Sequence, residues 1–391
     1  MQSIKKPIKI LFISHSSAMA GAERSLLLLL ENIDRKYFTP VVVLPRSGPL
    51  KEEIRHLNIK IYKVKIPLWL KDRRNILLSF LKFGYSGILE VIALFMLYKI
   101  IKQEKIDMIY TNTTVIFSGA IIAFITKKLH IWHIREIIPE NPYLHFFLPD
   151  RWIFNFILRS SNKIIANSKA TAEQFQNDKL DGKIRIIYNA VDIEKFKIHH
   201  PFPYISGAKS TDWLIAVIGS LQKGKAQDDA IHAVEIAKKV IPNIKLLIVG
   251  EGAKEYKNYL EELVFKLNVS TNVIFMGYRD NIPQILSYCK VLLVPSCNES
   301  FGRVVIEAMA AGIPVIGSDI GGIKEIIKNE LTGYLILPKS PIEIAMKMIY
   351  LYRHTNISKK MGSAGRKLVK EKFNVNNYTR NVEKAIQEVI M

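Results

Sequence analysis

Short apolar runs rich in β-branched residues alternate with helix-length amphipathic segments along the whole chain, and no other feature constrains the fold as much. In the first half the runs fall at 8–13, 41–44, 59–64, 108–110, 131–134, 163–166 and 184–188. In the second they fall at 213–218, 245–249, 273–276, 291–295, 314–317 and 334–337, separated by patterned segments such as 226–240 and 256–267. Strands that are apolar throughout bury both faces, as parallel sheets covered by helices on each side do. With 391 residues, the chain exceeds what one such core organises. The expectation is an α/β protein of two doubly wound, Rossmann-like domains facing each other across a cleft. Ligands should bind beyond the carboxyl ends of the strands.

After Asn189-Ala190-Val191-Asp192 the next twenty residues keep neither period and include the breaker-rich His199-His200-Pro201-Phe202-Pro203. The first domain is therefore placed at 1–190 and the second at 191–373. The last helical patterns, 358–372 and 375–390, follow the final strand, and the terminal one, 374–391, is expected to return to the first domain. Two cysteines, Cys289 and Cys297, cannot build a disulfide framework, and no Cys/His cluster has metal-ligand spacing. The chain opens with lysines and reaches a strand at Ile8 without an apolar signal segment. A reducing cytoplasm is the expected compartment.

The net charge of +21 exceeds what solubility requires. Residues 1–190 carry 29 basic and 15 acidic side chains, against 27 and 20 in residues 191–391. The densest basic stretch, Lys60, Lys63, Lys65, Lys71, Arg73, Arg74 and Lys82, adjoins apolar segments at 76–83 and 87–101. Lys82 and Glu90 interrupt these, and the longer segment is only about 15 residues where about 20 are needed to span a bilayer. Two helices packed on a sheet, or peripheral attachment to an anionic membrane on its cytoplasmic face, fit better than a span. Nucleic-acid binding would also use the charge, but no nucleic-acid module is present and no nucleic-acid partner is expected.

The chemistry concentrates in Pro295-Ser296-Cys297-Asn298-Glu299-Ser300-Phe301-Gly302-Arg303, a loop at a strand end that runs into a helix carrying Glu307. Two carboxylates eight apart, beside a helix N-terminus with free N–H groups, suit a ligand combining sugar hydroxyls with phosphates. Arg303 in the first helical turn opposes the helix dipole by about 0.3–1 kcal/mol, a cost that a bound diphosphate would reverse.

This stretch resembles the E-x7-E signature of the retaining glycosyltransferases of family 4. Gly312-Ile313-Pro314, Gly321-Gly322, Glu325 and Thr332-Gly333 follow in the family's order. The resemblance covers nearly the whole chain and implies the GT-B fold. It implies further that Glu299 meets the donor sugar's hydroxyls, the N–H groups of Phe301 and Gly302 the donor, and Glu307 the ribose. Gly219 to Gln227 resembles the family's phosphate loop, with Lys225 as its diphosphate lysine. Ala226 stands where glycine is usual and Ser220 where many members have arginine, so Arg303 or Lys223 would supply the second cation. In the first domain, Ala20-Gly21-Ala22-Glu23-Arg24 resembles the family's Gly-Gly-x-Glu-Arg loop, in which Gly21 permits close approach to the donor; Glu23 is equally a dipole-favourable first-turn residue. His133-Ile134-Arg135-Glu136 resembles the family's cleft histidine segment.

The resemblance thus implies Lys225, Glu299 and His133 as catalytic residues. It implies Gly21, Phe301, Gly302, Arg303, Glu307 and Tyr278 on the donor, Tyr278 belonging to the base-contacting loop. Asn112, Arg135 and Glu136 would lie on the acceptor side. Asn167-Ser168 ends another strand as a helix N-cap or a site residue. The reaction implied is transfer of a sugar from a nucleoside-diphosphate sugar, UDP- or GDP-linked, to an acceptor hydroxyl. The acceptor would be a membrane-associated, lipid-linked saccharide or a polysaccharide intermediate. No Asp-x-Asp motif is present, and no metal or other cofactor is expected. A catalytically silent sugar-nucleotide binder, and an epimerase or phosphorylase of the same fold, are the other readings.

Overall fold

The computed structural model describes residues 6–71, 76–139, 141, 144–175, 182–196, 205 and 207–390. The expected linker residues 199–203, and Arg73 and Arg74 of the basic stretch, lie outside these. The chain divides into two compact units, Met1–Asn189 with Val375–Met391, and Ala190–Asn374.

Unit 1 alternates β1 (Ile8–Ile13), α1 (Gly21–Asn32), β2 (Phe38–Leu44), α2 (Pro49–His56), β3 (Lys60–Lys63), α3 (Ile76–Glu104), β4 (Met108–Thr111), α4 (Ser118–Thr126), β5 (Leu129–Ile134), α5 (Asp150–Ser160), β6 (Lys163–Ala166), α6 (Lys169–Glu173) and β7 (Ile184–Ile186). Unit 2 continues with β8 (Trp213–Ile218), α7 (Gln227–Ala237), β9 (Ile244–Val249), α8 (Lys254–Lys266), β10 (Val273–Gly277), α9 (Ile282–Tyr288), β11 (Val291–Val294), α10 (Arg303–Ala311), β12 (Val315–Ser318), α11 (Ile323–Ile326), β13 (Gly333–Ile336), α12 (Pro341–Arg353) and α13 (Thr355–Lys372). The last helix, α14 (Val375–Ile390), belongs to unit 1.

Both sheets are parallel, in the orders β3-β2-β1-β4-β5-β6-β7 and β10-β9-β8-β11-β12-β13. The apolar runs of the sequence thus form strands covered on both faces; Ile10, Leu11, Phe12 and Ile13 of β1 are wholly buried. In each sheet the direction of winding reverses once, between β1 and β4 and between β8 and β11. Loops leaving the carboxyl ends of those neighbours diverge to opposite faces and leave a ligand-sized crevice. The right-handed crossover rule sets α1 and α2 on one face of the first sheet and α3, α4 and α5 on the other.

The segment read as two helices is the single helix α3. Gly84 and Gly87 fall inside it, where glycine costs only about 1 kcal/mol each. Burial of Ser86, Glu90, Ala93, Leu97, Ile100, Ile101 and Glu104 along one stripe offsets that cost. The stretch Leu81–Glu104 is consequently long and apolar enough to cross a membrane by length and composition, which the length of the longer apolar segment had denied. Its buried stripe is nevertheless built into unit 1, where Ala93, Leu97, Ile100 and Ile101 join the core with Phe117, Trp132 and Phe146. Trp69 Nε1 donates to Glu90 Oε2 at 2.9 Å.

Helix α14 buries Tyr378, Val382, Ala385 and Ile386 at helical spacing and packs against α1. Its Glu383 accepts from the Asp34 amide at 2.8 Å, and Glu388 pairs with Lys163 and Arg185. At the edge of unit 2, the Val191 amide donates to the Phe373 carbonyl at 3.0 Å and Val191 pairs with Asn374, so the two ends of unit 2 meet.

Candidate functional site

In unit 2 the loops after β8 and β11 flank the winding reversal and carry Lys225, Glu299, Phe301 and Gly302. After β8 the chain passes through Gly219 and a short 3-10 turn, Lys223–Lys225, into α7. Ala226 takes the left-handed conformation, at φ 49° and ψ 47°, which explains why glycine would suit this position. Gln227 at the start of α7 is buried and donates to the Ser220 carbonyl at 3.0 Å, closing the loop. The Gly250-Glu251-Gly252 turn after β9 presses on this loop, because a Cβ on Gly250 would lie 2.0 Å from the Gly219 carbonyl oxygen. That turn serves backbone packing.

After β11, the Cys297 amide donates to the Gly224 carbonyl at 2.9 Å and ties the two loops together. Lys225 Nζ forms an ion pair with Glu299 Oε2, both side chains largely buried. Gly302 caps α10 at φ 90°, a left-handed conformation natural to glycine, and a Cβ there would sit 3.5 Å from Glu299 Cγ. Phe301 turns its ring into the core against Phe373, centroids 6.0 Å apart, which leaves its backbone as the part able to address a ligand. Gly322 supports this loop from below: its amide donates to the Glu299 carbonyl at 3.0 Å, and a Cβ would stand 2.5 Å from Phe301 Cα.

Arg303, the first residue of α10, donates to the Ala190 carbonyl at 3.3 Å and pairs at 3.4 Å with Glu307 one turn on. The sequence assigned Arg303 to phosphate and Glu307 to ribose as separate contacts; the structure couples them. Tyr278, following β10, is exposed, and its amide donates weakly to Glu251 at 3.4 Å. Four expected residues, Lys225, Glu299, Arg303 and Glu307, thus form two cation–carboxylate pairs beside the N-terminus of α10. The helix amides and cations favour phosphate, and the carboxylates favour hydroxyls.

In unit 1 the loops after β1 and β4 flank the corresponding reversal. Gly21 opens α1 and is exposed, and Ala20 before it has an ordinary extended φ of −82°, so alanine is unstrained there. Glu23 is buried, 3.6 Å from His15 Nε2, and its carboxylate oxygens find no hydrogen-bond donor among the described residues.

Asn112, fully buried, donates to the Ala22 carbonyl at 3.2 Å and accepts from Arg135 Nε at 2.8 Å. Arg135 also donates to Asn189 Oδ1 at 2.7 Å and to the Tyr378 hydroxyl at 3.2 Å, and its Nη2 lies 3.3 Å from His133 Nδ1. A guanidinium can only donate, so His133 Nδ1 is an acceptor, shared with the Tyr110 hydroxyl at 2.5 Å. The imidazole proton therefore sits on Nε2, which is buried and has no partner among the described residues. Burial, and then the Arg135 charge, hold the His133 pKa well below its ordinary value. The ring is a neutral hydrogen-bond donor. Glu136 accepts from the Thr113 and Thr114 hydroxyls at 2.8 and 2.6 Å and from the Thr114 and Arg135 amides.

Glu136 thereby joins the ends of β4 and β5, and Arg135 joins Asn112 to Asn189 and to the C-terminal helix. Asn189 and Tyr378, which complete this cluster, carry no local motif that sequence reading could have used. Ser168 caps α6, accepting from the Thr171 amide at 2.9 Å. Among the described residues no three His, Cys, Asp or Glu side chains converge as a metal site would require.

Two Rossmann-like domains, with paired cations and carboxylates at a strand switch point of the second, define a two-domain, doubly wound α/β protein. Two family models match it: Glycosyltransferase Family 4 over residues 19–195 and Glycosyl transferases group 1 over residues 202–368. An uncharacterized glycosyltransferase of Methanocaldococcus jannaschii is 31% identical over 245 residues, 59% of this chain and 62% of that protein, so under two thirds of that relative is spanned. The UDP-Gal:α-D-GlcNAc-diphosphoundecaprenol α-1,3-galactosyltransferase of Escherichia coli is 26% identical over 359 residues, 86% of each chain. Anabaena HepE, solved in complex with UDP-glucose, matches with a TM-score of 0.79 at 24% identity over 97% of this chain and 100% of that one, and so shares the fold. The chain belongs to family 4 of the glycosyltransferases and has the GT-B fold.

Proposed function

We propose that the protein transfers a sugar from a UDP-sugar to a hydroxyl of a lipid-linked saccharide, with retention at the anomeric carbon and without a metal ion, at the cytoplasmic surface of a membrane. The observation that carries this reading is the pairing of Lys225 with Glu299 and of Arg303 with Glu307 beside the α10 N-terminus. A sugar nucleotide supplies what both pairs lack: phosphate oxygens for the cations and hydroxyls for the carboxylates. The UDP-glucose complex of HepE and the diphosphoundecaprenol-linked acceptor of the Escherichia coli relative support the choice of donor and acceptor.

In the reaction the bond from the anomeric carbon to the diphosphate oxygen breaks, and its electron pair leaves with UDP. The acceptor oxygen bonds to the same face of the sugar, and its proton passes to the departing phosphate oxygen. Charge builds on the diphosphate, where Lys225, Arg303 and the amide end of α10 stabilise it. Glu299, released from Lys225, orients the sugar through its hydroxyls.

The test is transfer from labelled UDP-sugars to polyprenyl-diphosphate saccharides, with the product's anomeric configuration read by NMR. Lys225→Ala should lower kcat by about a hundredfold or more, the effect of removing one preorganised donor to a developing oxyanion. Wild-type rates in that variant, or an inverted product, would refute the assignment.

A further inference from the structure

Helix α3 is apolar on two sides. Its inner stripe is consumed by the unit 1 core, yet Leu81, Ile88, Val91, Ile92 and Phe95 are exposed on the outer side, Val91 by 69% of its surface. A helix apolar all round is normally buried all round, so a second cover is called for.

The polar residues around this surface say what the cover is. Both acidic residues of the helix, Glu90 and Glu104, turn inward and are buried. The outer side therefore carries neutral and cationic groups alone. Lys99 Nζ lies 4.3 Å from the Phe95 ring centre and Lys102 Nζ 5.6 Å from that of Tyr98, while Lys65 donates to the Tyr85 hydroxyl at 2.9 Å. Lysine stems lying along aromatic rings, with the ammonium groups at the margin, are the arrangement that bridges acyl chains and headgroups. Helix α4, packed against α3, ends in exposed Phe124 and Ile125 followed by Lys127 and Lys128, and repeats the pattern.

We infer that the outer side of α3 lies lengthwise in the headgroup–acyl boundary of an anionic phospholipid monolayer. From Leu81 to Phe95 it offers an apolar strip about 20 Å long. Crossing the bilayer would instead strip Ala93, Leu97, Ile100 and Ile101 from the core and place Glu90 in hydrocarbon. The inference rests on the membrane location in the proposed function and deepens it. It concerns unit 1, whereas the paired donor-site residues belong to unit 2, and it requires neither donor nor turnover, so flotation can fail while sugar transfer stands.

Flotation of the full chain with phosphatidylcholine vesicles, with and without phosphatidylglycerol, tests it. Wild type should float with the anionic vesicles and stay bound at about 1 M salt, where surface charges are screened within about 3 Å. The combined change Ile88→Ser, Val91→Ser and Phe95→Ser should lower partitioning by about a hundredfold. These residues are exposed, so the thermal midpoint should not move. Lys99→Glu with Lys102→Glu should weaken binding at low salt and less at high salt. Equal flotation of the triple variant and wild type would overturn the inference, as would equal binding to neutral and anionic vesicles at low salt, where charge is unscreened. A wild-type dimer that floats with no vesicle, and that the triple variant makes monomeric, would overturn it too, by showing a second copy to be the cover.

Discussion

Lys225 and Arg303 each enter the site already balanced by a carboxylate, so donor binding is an exchange of partners rather than a simple addition. Glu299→Gln should therefore bind UDP as tightly as wild type or more so, because Lys225 is no longer neutralised, while turnover falls for want of the acceptor of sugar hydroxyls. Calorimetric titration with UDP beside steady-state rates checks this, and a joint loss of affinity and rate would count against it. Ala226 poses a backbone question. Its left-handed conformation costs about 1 kcal/mol, which Ala226→Gly would relieve. The looser unfolded chain returns a similar amount, about 0.4–1 kcal/mol, so calorimetry should find the midpoint nearly unmoved. Ala226→Val, β-branched, should melt clearly lower. The donor-side residues were legible because they lie in two short segments of fixed order. Their pairing was not: Lys225 and Glu299 stand 74 positions apart, and nothing local to either says which way a long side chain turns.

Elements set the precision of the donor loop. Gly322, at the N-cap of α11, has an ordinary φ of −74°, so its role is purely steric. Gly322→Ala would push the Ser300–Phe301 backbone away at a cost of about 1–3 kcal/mol; urea unfolding should show this together with weaker UDP binding. Helix α14 acts through Tyr378, whose hydroxyl donates to the Ser25 carbonyl at 3.2 Å while accepting from Arg135. Tyr378→Phe should destabilise unit 1 by about 1–3 kcal/mol, since it leaves a charged donor short of an acceptor. Hydrogen exchange at the ends of β4 and β5 is the direct readout. The strands were readable as continuous apolar runs because both sheet faces are covered. Helix α3 reads as two segments in the sequence because Lys82 and Glu90 interrupt its apolar run, although Glu90 belongs to the buried stripe from Ser86 to Glu104 that holds the helix together. The pairing of Arg135 with Asn112, Asn189 and Tyr378 was not legible because these residues follow β5 and β4, end the first segment of unit 1 and lie on α14.

At the scale of the whole molecule, the excess of basic residues makes acid the unfavourable direction, and buried histidines add to this. Burial lowers the His130 pKa to about 4 from 6.5; its Nδ1 donates to the Ser160 carbonyl at 3.1 Å and its Nε2 accepts from Thr111 at 2.9 Å. The folded pKa lies below the unfolded one, so the unfolded chain takes up the proton first. Stability is held above about pH 6.5 and is lost as pH falls toward 4. Between pH 7 and 5 the single site should account for about 2 kcal/mol, so His130→Gln should flatten the urea midpoint across that range by this amount. An unchanged slope would mean that the imidazole charges without penalty. The meeting of Val191 with Phe373 and Asn374 has a genetic corollary. Unit 2 is an insert with adjoining ends, so residues 190–374 can be lifted out as one piece and a brief glycine–serine tether from 189 to 375 can reseal what remains. A stop codon anywhere before 375 instead deprives the first-translated domain of its closing helix, and so damages a region encoded far upstream of the lesion.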